Sequence, residues 1–309
     1  MNNPVLFPSG EAAQSIAVIG WALFIGGALI FAGVMALLAR SLNSREPPRQ
    51  LRPALWLIGG GVVFPAVVLS ALLGWSIALS ARLGATAPAG ALQVSVTGHM
   101  WWWQVRYRDP TSGADIVLAN ELRLPLGRPV VVGVNSADVI HSLWVPALNG
   151  KVDAVPGRVN QLVLSADKAG VYAGPCAEYC GQQHSRMHLQ VVVLPPQEFE
   201  RWLAAQAQPA ATPQTELQRR GRQAFVEQRC GACHTVRGLG AADAGVAPDL
   251  THVGSRLSLG AGTLRNDPGA LIAWIAGVQR LKSGAHMPSF DTLDGPTLQA
   301  LGAYLAQLQ

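Results

Sequence analysis

Cys176-Ala-Glu-Tyr-Cys180-Gly-Gln-Gln-His184-Ser-Arg-Met187 gathers two thiols, an imidazole and a thioether into one short stretch. Packing alone does not call for such a density of soft ligands. Thiolates and thioethers favour copper, zinc or iron–sulfur, and imidazole suits copper and zinc. A structural zinc site takes four nitrogen or sulfur ligands in a closed tetrahedron, to which a Met adds nothing. With Met187 as a weak extra ligand, copper leads. Two alternatives stand beside it: two small buried apolar cysteines next to an unrelated His and Met, or a Cys176–Cys180 disulfide.

Working outward, His141 stands upstream in Ala137-Asp-Val-Ile-His141-Ser-Leu-Trp-Val-Pro146. Alone it reads as an ordinary strand residue; beside an incomplete ligand cluster it reads as the missing nitrogen. A remote strand His plus a ligand loop is how a β-sandwich builds a copper site, as in blue-copper proteins. Strand-like runs surround it: Gln93–Thr97, Ile116–Leu118, Val130–Val132, Leu162–Leu164 and Leu189–Leu194. Short β-branched runs separated by Gly, Pro and Asp turns predict a sandwich or small barrel.

The whole chain of 309 residues predicts about two domains. Half of it is apolar and only 13% is charged. The net charge of +5 is spread thinly, so no segment carries the clustered Lys/Arg face that nucleic acid requires. The four Cys form two close pairs, leaving none for a disulfide framework. Ser15 to Ala39 is apolar and uncharged, a helix of roughly 36 Å, enough to cross a hydrocarbon core of about 30 Å. Ala54 to Ala81 repeats the pattern, with Trp56 and Trp75 near its ends, where aromatic belts lie, and with Gly59, Gly60, Gly61 and Pro65 interrupting it. Its small residues predict packing against a neighbouring membrane helix. The connector holds Arg40, Arg45, Arg49 and Arg52 around Pro47-Pro48, whereas the first fourteen residues contain no Lys or Arg. The positive-inside rule then places the connector in the cytoplasm and both termini outside. No charged n-region marks a cleavable signal peptide, so either the first span is itself the export signal or the start is already processed.

Gly98-His-Met-Trp-Trp-Trp103, the His141 segment, Asp153-Ala-Val-Pro-Gly-Arg158 and the Cys176–Met187 loop together resemble subunit II of the haem–copper cytochrome c oxidases, from residue 15 to about 205. The resemblance implies a two-helix membrane hairpin and a cupredoxin-like head with a binuclear copper centre. It also implies ligation by His141, Cys176, Cys180, His184, Met187 and the Glu178 backbone carbonyl, both thiolates bridging both metals. The Glu178 side chain would help hold a magnesium ion at the contact with subunit I. Trp101 matches the position where electrons enter above the copper. Three successive Trp cannot all face one core, since strand side chains alternate, so at least one is expected to be exposed. Two features depart from the family. No carboxylate occurs from Pro47 to Ala81, where the family often places one for a proton pathway, and Met100 replaces the usual polar residue after Gly-His.

After Gln206–Thr215, rich in Ala, Pro, Gln and Thr, comes a helical pattern at Leu217, Gly221, Ala224 and Phe225, then Cys230-Gly-Ala-Cys233-His234. Cys-x-x-Cys-His in an exported domain reads as c-type haem attachment, two thioethers with the His as iron ligand. A thioredoxin-like pair would need a βαβ context, which the helical, glycine-rich sequence here lacks. Met287, in His286-Met287-Pro288, is the expected sixth ligand and His286 its competitor. The region resembles a class I cytochrome c, with Pro248-Asp-Leu matching the loop behind the iron-ligating His. Leu298 to Leu308 forms its closing helix, Leu301, Tyr304 and Leu305 on one face, and Trp274 packs near a haem edge or in the core.

The expected architecture is a two-helix transmembrane hairpin, then an all-β cupredoxin-like sandwich, then an all-α class I cytochrome c domain. The expected division is an outer tail at 1–14, the hairpin at 15–81, the copper domain at 82–205, a linker at 206–215 and the haem domain at 216–309. The function expected is electron transfer from haem c to copper and on to subunit I, where oxygen is reduced, in a bacterial inner membrane with the redox domains outside. Expected partners are subunits I and III, and a cytochrome c or quinol–cytochrome c reductase as donor. A nearly neutral head agrees with the fused domain being the donor to copper, since docking a basic soluble cytochrome favours an acidic surface. Alternatives are an electron-transfer component of a nitrogen-oxide reductase and a copper chaperone.

Overall fold

A computed structural model describes residues 6–43, 54–83, 90–239 and 246–309. Arg45, Arg49, Arg52 and Pro47-Pro48 of the connector, and residues 85–89 after the second span, lie outside the described residues. Contacts divide the chain into two units, Gln14–Thr86, and Met1–Ala13 together with Ala87–Gln309.

The first unit is helical. Helix α1 (Glu11–Asn43) begins at Glu11 rather than at Ser15, and its acidic residue suits the positive end of the helix dipole. The second apolar segment is helical throughout: Leu55–Val63 is wound as a π-helix and continues as α2 (Phe64–Leu83). Gly59–Gly61 and Pro65 therefore widen the helix without breaking it. In an α-helix the Pro65 ring would strike the carbonyl four residues back. The wider winding, in which Phe64 N–H reaches Gly59 O, precedes it. Both helices are long and apolar enough to cross a membrane, and their apolar windows are not buried within the fold.

The second unit opens with a sandwich. Strands β1 (Leu92–His99), β2 (Trp102–Arg108), β3 (Asp115–Ala119), β5 (Val130–Ser136) and β8 (Asn160–Leu164) form a sheet in the order β3-β2-β1-β5-β8. Facing it are β4 (Glu121–Pro125), β10 (His188–Leu194) and β9 (Gly170–Pro175), in the order β4-β10-β9. β1 runs parallel to β5 and β4 parallel to β10; the other pairings within these sheets are antiparallel. Strict alternation in β5 buries Val130, Val132 and Val134 against Val96, Val105, Leu189 and Val191. Each such side chain contributes about 1.5–3 kcal/mol over leaving it exposed. A short hairpin, β6 (His141–Trp144) with β7 (Lys151–Ala154), brings His141 inside. Helix α3 (Pro196–Gln206) closes the sandwich with Phe199 and Leu203.

The C-terminal part is helical around its own core. Helix α4 (Glu216–Glu227) starts at a Thr215/Gln218 capping box, α5 (Pro268–Leu281) at Asp267 and α6 (Gly295–Ala306) at Asp294. A two-residue hairpin pair, β11 (Ser258–Leu259) with β12 (Leu264–Arg265), precedes α5. Ala224, Phe225, Leu301, Tyr304 and Leu305 are buried as the pattern predicts, but Leu217 is exposed. The turn that buries Gly221, Ala224 and Phe225 places Leu217 at the open start of α4. The stretch read as a linker is fastened down: Arg237 donates to the carbonyls of Gln206 and Ala207, and Ala210 N–H donates to Arg237 O at 3.0 Å.

Helices α4 and α6 touch at Gly221, where a Cβ would lie 1.9 Å from Ala300 O and 2.6 Å from Tyr304 Cβ. Gly221→Ala is expected to force the helices apart and destabilise this domain by about 1–3 kcal/mol, the usual range for overpacking. Gly295→Ala, which would meet nothing, is expected to leave stability near the native value. Thermal unfolding followed by far-ultraviolet circular dichroism compares the two.

Candidate functional site

The copper-type cluster is assembled from core positions. Cys176 follows β9 and bridges to Leu143 of β6, Met187 precedes β10, and Cys176 N–H donates to Met187 O at 2.9 Å, closing the loop on itself. Cys176 and Cys180 are free and their sulfurs are 3.9 Å apart, far beyond the roughly 2.05 Å of a disulfide. Cys180 Sγ lies 3.5 Å from His184 Nδ1 and 3.8 Å from Met187 Sδ, and Cys176 Sγ lies 3.3 Å from the Glu178 carbonyl. His141, Cys176 and Cys180 present donor atoms within 4.8 Å of one another, all three buried. Two thiols, two imidazoles, a thioether and a carbonyl thus converge.

Charge in the cluster is shared. The Cys180 contact, helped by His141, pulls the Cys176 thiol down, and the same contact together with burial pushes Cys180 up. His141 is turned by a residue that sequence reading passed over. Asp138 accepts from His141 Nε2 at 2.8 Å and from Met100 N–H at 2.7 Å. Burial opposes ionisation of Asp138, but those hydrogen bonds win and hold its carboxyl down. His141 Nδ1 is left buried, without a hydrogen-bond partner, on the Cys176 side. A carboxylate behind a ligating His, three residues earlier in the chain, was a signal available in Ala137-Asp-Val-Ile-His141. A buried orphaned nitrogen facing thiols is what a soft metal would satisfy. The Glu178 carboxylate points elsewhere, 3.8 Å from Lys151 Nζ at the surface.

A second site lies in the helical part. A cavity of about 400 Å3, within the ~300–1,000 Å3 typical of cofactor sites, is lined by Phe225, Cys230, Cys233, His234, Met287 and Leu301 among others. His234 Nδ1 donates to Pro248 O at 2.7 Å, leaving Nε2 as the lone-pair nitrogen. Burial pushes this imidazole down, which keeps it neutral. Met287 is half-buried against the core and its carbonyl accepts from Gln279 Nε2 at 2.7 Å, whereas His286, on the same wall, is exposed. Trp274 also lines the cavity, as does Arg256, whose Nε is buried without a partner and could meet an acidic group. Two free thiols, a neutral oriented imidazole and an apolar hollow fit a covalently attached haem.

The β domain completes this cavity with Met100, Trp101, Trp102 and Asn120. Trp101 donates its indole N–H to Cys180 O at 2.8 Å, so one ring borders both sites. None of the three tryptophans is fully exposed, against expectation. Trp103 is buried with its ring 5.8 Å from that of His141, Trp102 stacks on His99 at 4.4 Å, and Trp101 is covered by the helical domain. Further bonds cross between the domains: Glu121 accepts from Leu257 N–H at 3.0 Å, His188 N–H donates to Ala261 O at 3.1 Å, and Gln183 donates to Ser283 O at 2.7 Å. Lys282, also unmarked in the sequence, is buried among them, and burial, with Arg186 nearby, pushes its amine down to about 8.

Comparison with known proteins agrees with this layout. The family described as cytochrome c oxidase subunit II, periplasmic domain, matches residues 114–194, and the cytochrome c family matches residues 218–309. Cytochrome c oxidase subunit 2 of Alkalihalophilus pseudofirmus is 33% identical over all of this chain and 91% of its own length. That of Bacillus subtilis is 28% identical over 98% of this chain and 91% of its own. The crystal structure of the periplasmic domain of subunit II of Bradyrhizobium japonicum cytochrome oxidase is 31% identical, covering 40% of this chain and 97% of that one, with a TM-score of 0.37. With a relative this similar along its whole length, and with both cofactor-type sites built on the domains those families describe, the chain belongs to the cytochrome c oxidase subunit II family, in a form that carries a cytochrome c domain.

Proposed function

We propose that this chain carries electrons from a covalently bound haem c, through Trp101, to a pair of copper ions and on to subunit I, where oxygen is reduced to water. When bound, the haem and the copper pair supply one-electron carriers. The observation that carries the route is the position of Trp101, bonded to the Cys180 carbonyl on one side and lining the cavity of Cys230, Cys233, His234 and Met287 on the other.

The residues divide the work. Cys176, Cys180, His141, His184, Met187 and the Glu178 carbonyl would hold the copper pair. Asp138 fixes the tautomer and direction of His141. Cys230 and Cys233 would attach the haem, and His234 Nε2 and Met287 would ligate its iron. The Glu178 carboxylate, half-exposed and only weakly paired with Lys151, serves a magnesium ion at the subunit I contact.

The two apolar helices anchor the chain in the bacterial inner membrane, where their uncovered apolar faces meet subunits I and III. Ser9 supports an outward-facing head: its backbone N–H donates to Ala147 O at 2.7 Å and its carbonyl accepts from Asp167 N–H at 2.8 Å. Ser9, just ahead of α1, is thus tied to the redox head, and two crossings bring the chain back to the same side. The Arg-containing connector then faces the cytoplasm and the head the outer side, where a cytochrome c or a quinol–cytochrome c reductase delivers electrons.

Cys180→Ser is expected to abolish the paired-copper paramagnetic signal while leaving the haem c spectrum intact; metal analysis finding zinc at the thiols would overturn the copper assignment. Trp101→Phe is expected to keep both cofactors yet slow haem-to-copper transfer about tenfold, a barrier increase of about 1.4 kcal/mol, read by flash photolysis. Met287→Leu is expected to change the haem's axial ligation in its visible spectrum, whereas His286→Ala leaves it unchanged.

A further inference from the structure

We infer that Lys282 is a positioning residue, a latch that pins the haem domain onto the copper domain and so sets the rate of transfer through Trp101. The inference rests on the electron route above and adds to it what holds the route in register.

Lys282 is 3% exposed. Its ammonium donates to three backbone carbonyls, each at 2.8 Å: Trp101 O, Arg186 O and Gly260 O. A lysine has three N–H donors and no acceptor, so the set is complete. Two of the carbonyls belong to the copper domain and flank its working parts. Trp101 borders both sites, and Arg186 immediately precedes Met187. The third belongs to the turn between β11 and β12 of the haem domain. One cation therefore ties three chain segments that no other side chain joins among the described residues.

A buried ammonium is costly to desolvate, and an apolar residue of similar volume is often as stabilising or more so. Stability alone does not account for it. What a point charge with three donors does supply is direction, because all three carbonyls must turn toward one atom. Neighbouring contacts follow the same line. Arg186 donates to Leu281 O at 2.5 Å, Gln182 donates to Ser283 Oγ at 2.9 Å, and Gly284, at φ +80°, lies where a Cβ would come 2.7 Å from Gln182 Oε1. From there the chain runs directly to Met287. The loop carrying the haem-side methionine and the loop carrying the copper-side methionine are locked to each other at Lys282.

The test uses the assembled oxidase with haem and copper loaded, in Lys282→Met and Lys282→Gln forms. Lys282→Met leaves three carbonyls without a donor and is expected to slow haem-to-copper transfer at least about tenfold. Lys282→Gln, with two donors, is expected to fall between it and the native protein, and it carries the test if the Met form does not assemble. The slowed transfer should depend on solvent viscosity, as undocked domains must find each other. Both reduction potentials and haem reduction by an external donor should stay unchanged. Hydrogen exchange should rise at residues 182–187 and 258–262, a readout independent of turnover. An unchanged rate in both forms overturns the latch. So does a slowed rate with shifted potentials and no viscosity dependence, which would make Lys282 a charge acting on the cofactors. Trp101→Phe run alongside separates the two readings: if it leaves transfer unchanged the route fails, and if it slows transfer while both Lys282 forms do not, only the latch fails.

Discussion

The structure depends on holding two unjoined thiols 3.9 Å apart inside an apolar sandwich. Buried polar groups without partners are costly, and an imidazole nitrogen facing thiols in such a place has nothing to gain from the protein alone. Every element around the pair is arranged to keep it there. The bridge from Leu143 to Cys176 fixes the His141 strand beside the loop, and the Cys176 N–H to Met187 O bond fixes the two ends of the loop beside each other. Cys176, Cys180 and Met187 are members of the hydrophobic core in their own right. The ligand set and the core are one object, so the site is rigid for the same reason the domain is folded. Rigidity is what a one-electron site needs, because small changes of geometry on transfer keep the barrier low.

Fusion of a haem domain could act simply by tethering, which raises effective concentration but leaves the two domains to find each other. The geometry here is more restrictive. The segment between the domains is bound along the haem domain through Arg237 and Ala210, and hydrogen bonds to the main chain of Leu257, Ala261 and Ser283 cross the contact, from the Glu121 and Gln183 side chains and the His188 N–H. The cavity wall itself is completed by Trp101 and Trp102 of the other domain. An arrangement fixed in this way replaces a search with a standing orientation, the advantage that positioning gives over mere proximity. It also explains why three tryptophans in succession avoid full exposure: the partner surface that exposed aromatics would serve is already filled by the same chain.

Much of this was legible in the residues. The five β-branched runs all became strands, and Cys-x-x-Cys-His with a distant Met became one cavity wall. The strands that escaped notice, such as β2 with Trp103, Gln104, Arg106 and Arg108, mix aromatic and charged residues, because one face meets the core and the other carries ion pairs such as Arg106–Asp115. β6 and β7 are short and lie apart from the two main sheets, and their pairing serves to turn His141 inward more than to extend a sheet. Leu217 looked like a core residue because it continues an apolar pattern, yet at the start of α4 it stays exposed.

The contact between the domains was the least legible part, and for a physical reason. Apolar periodicity reports burial against a core, but this contact is made largely through main-chain carbonyls and amides, which every residue possesses. Lys282 caps the C-terminal end of α5, where a basic residue is ordinarily read as a solvated complement to the helix dipole. Only the arrival of Trp101 O and Arg186 O, from far along the chain, turns it into a buried donor. Asp138 differs in kind. It sits three residues before His141, and the need of a ligating imidazole for an orienting acceptor makes it readable in principle from spacing alone. Side chains that act on a neighbour in sequence leave a local trace, whereas those that act across a domain boundary leave none until the fold brings their partners together.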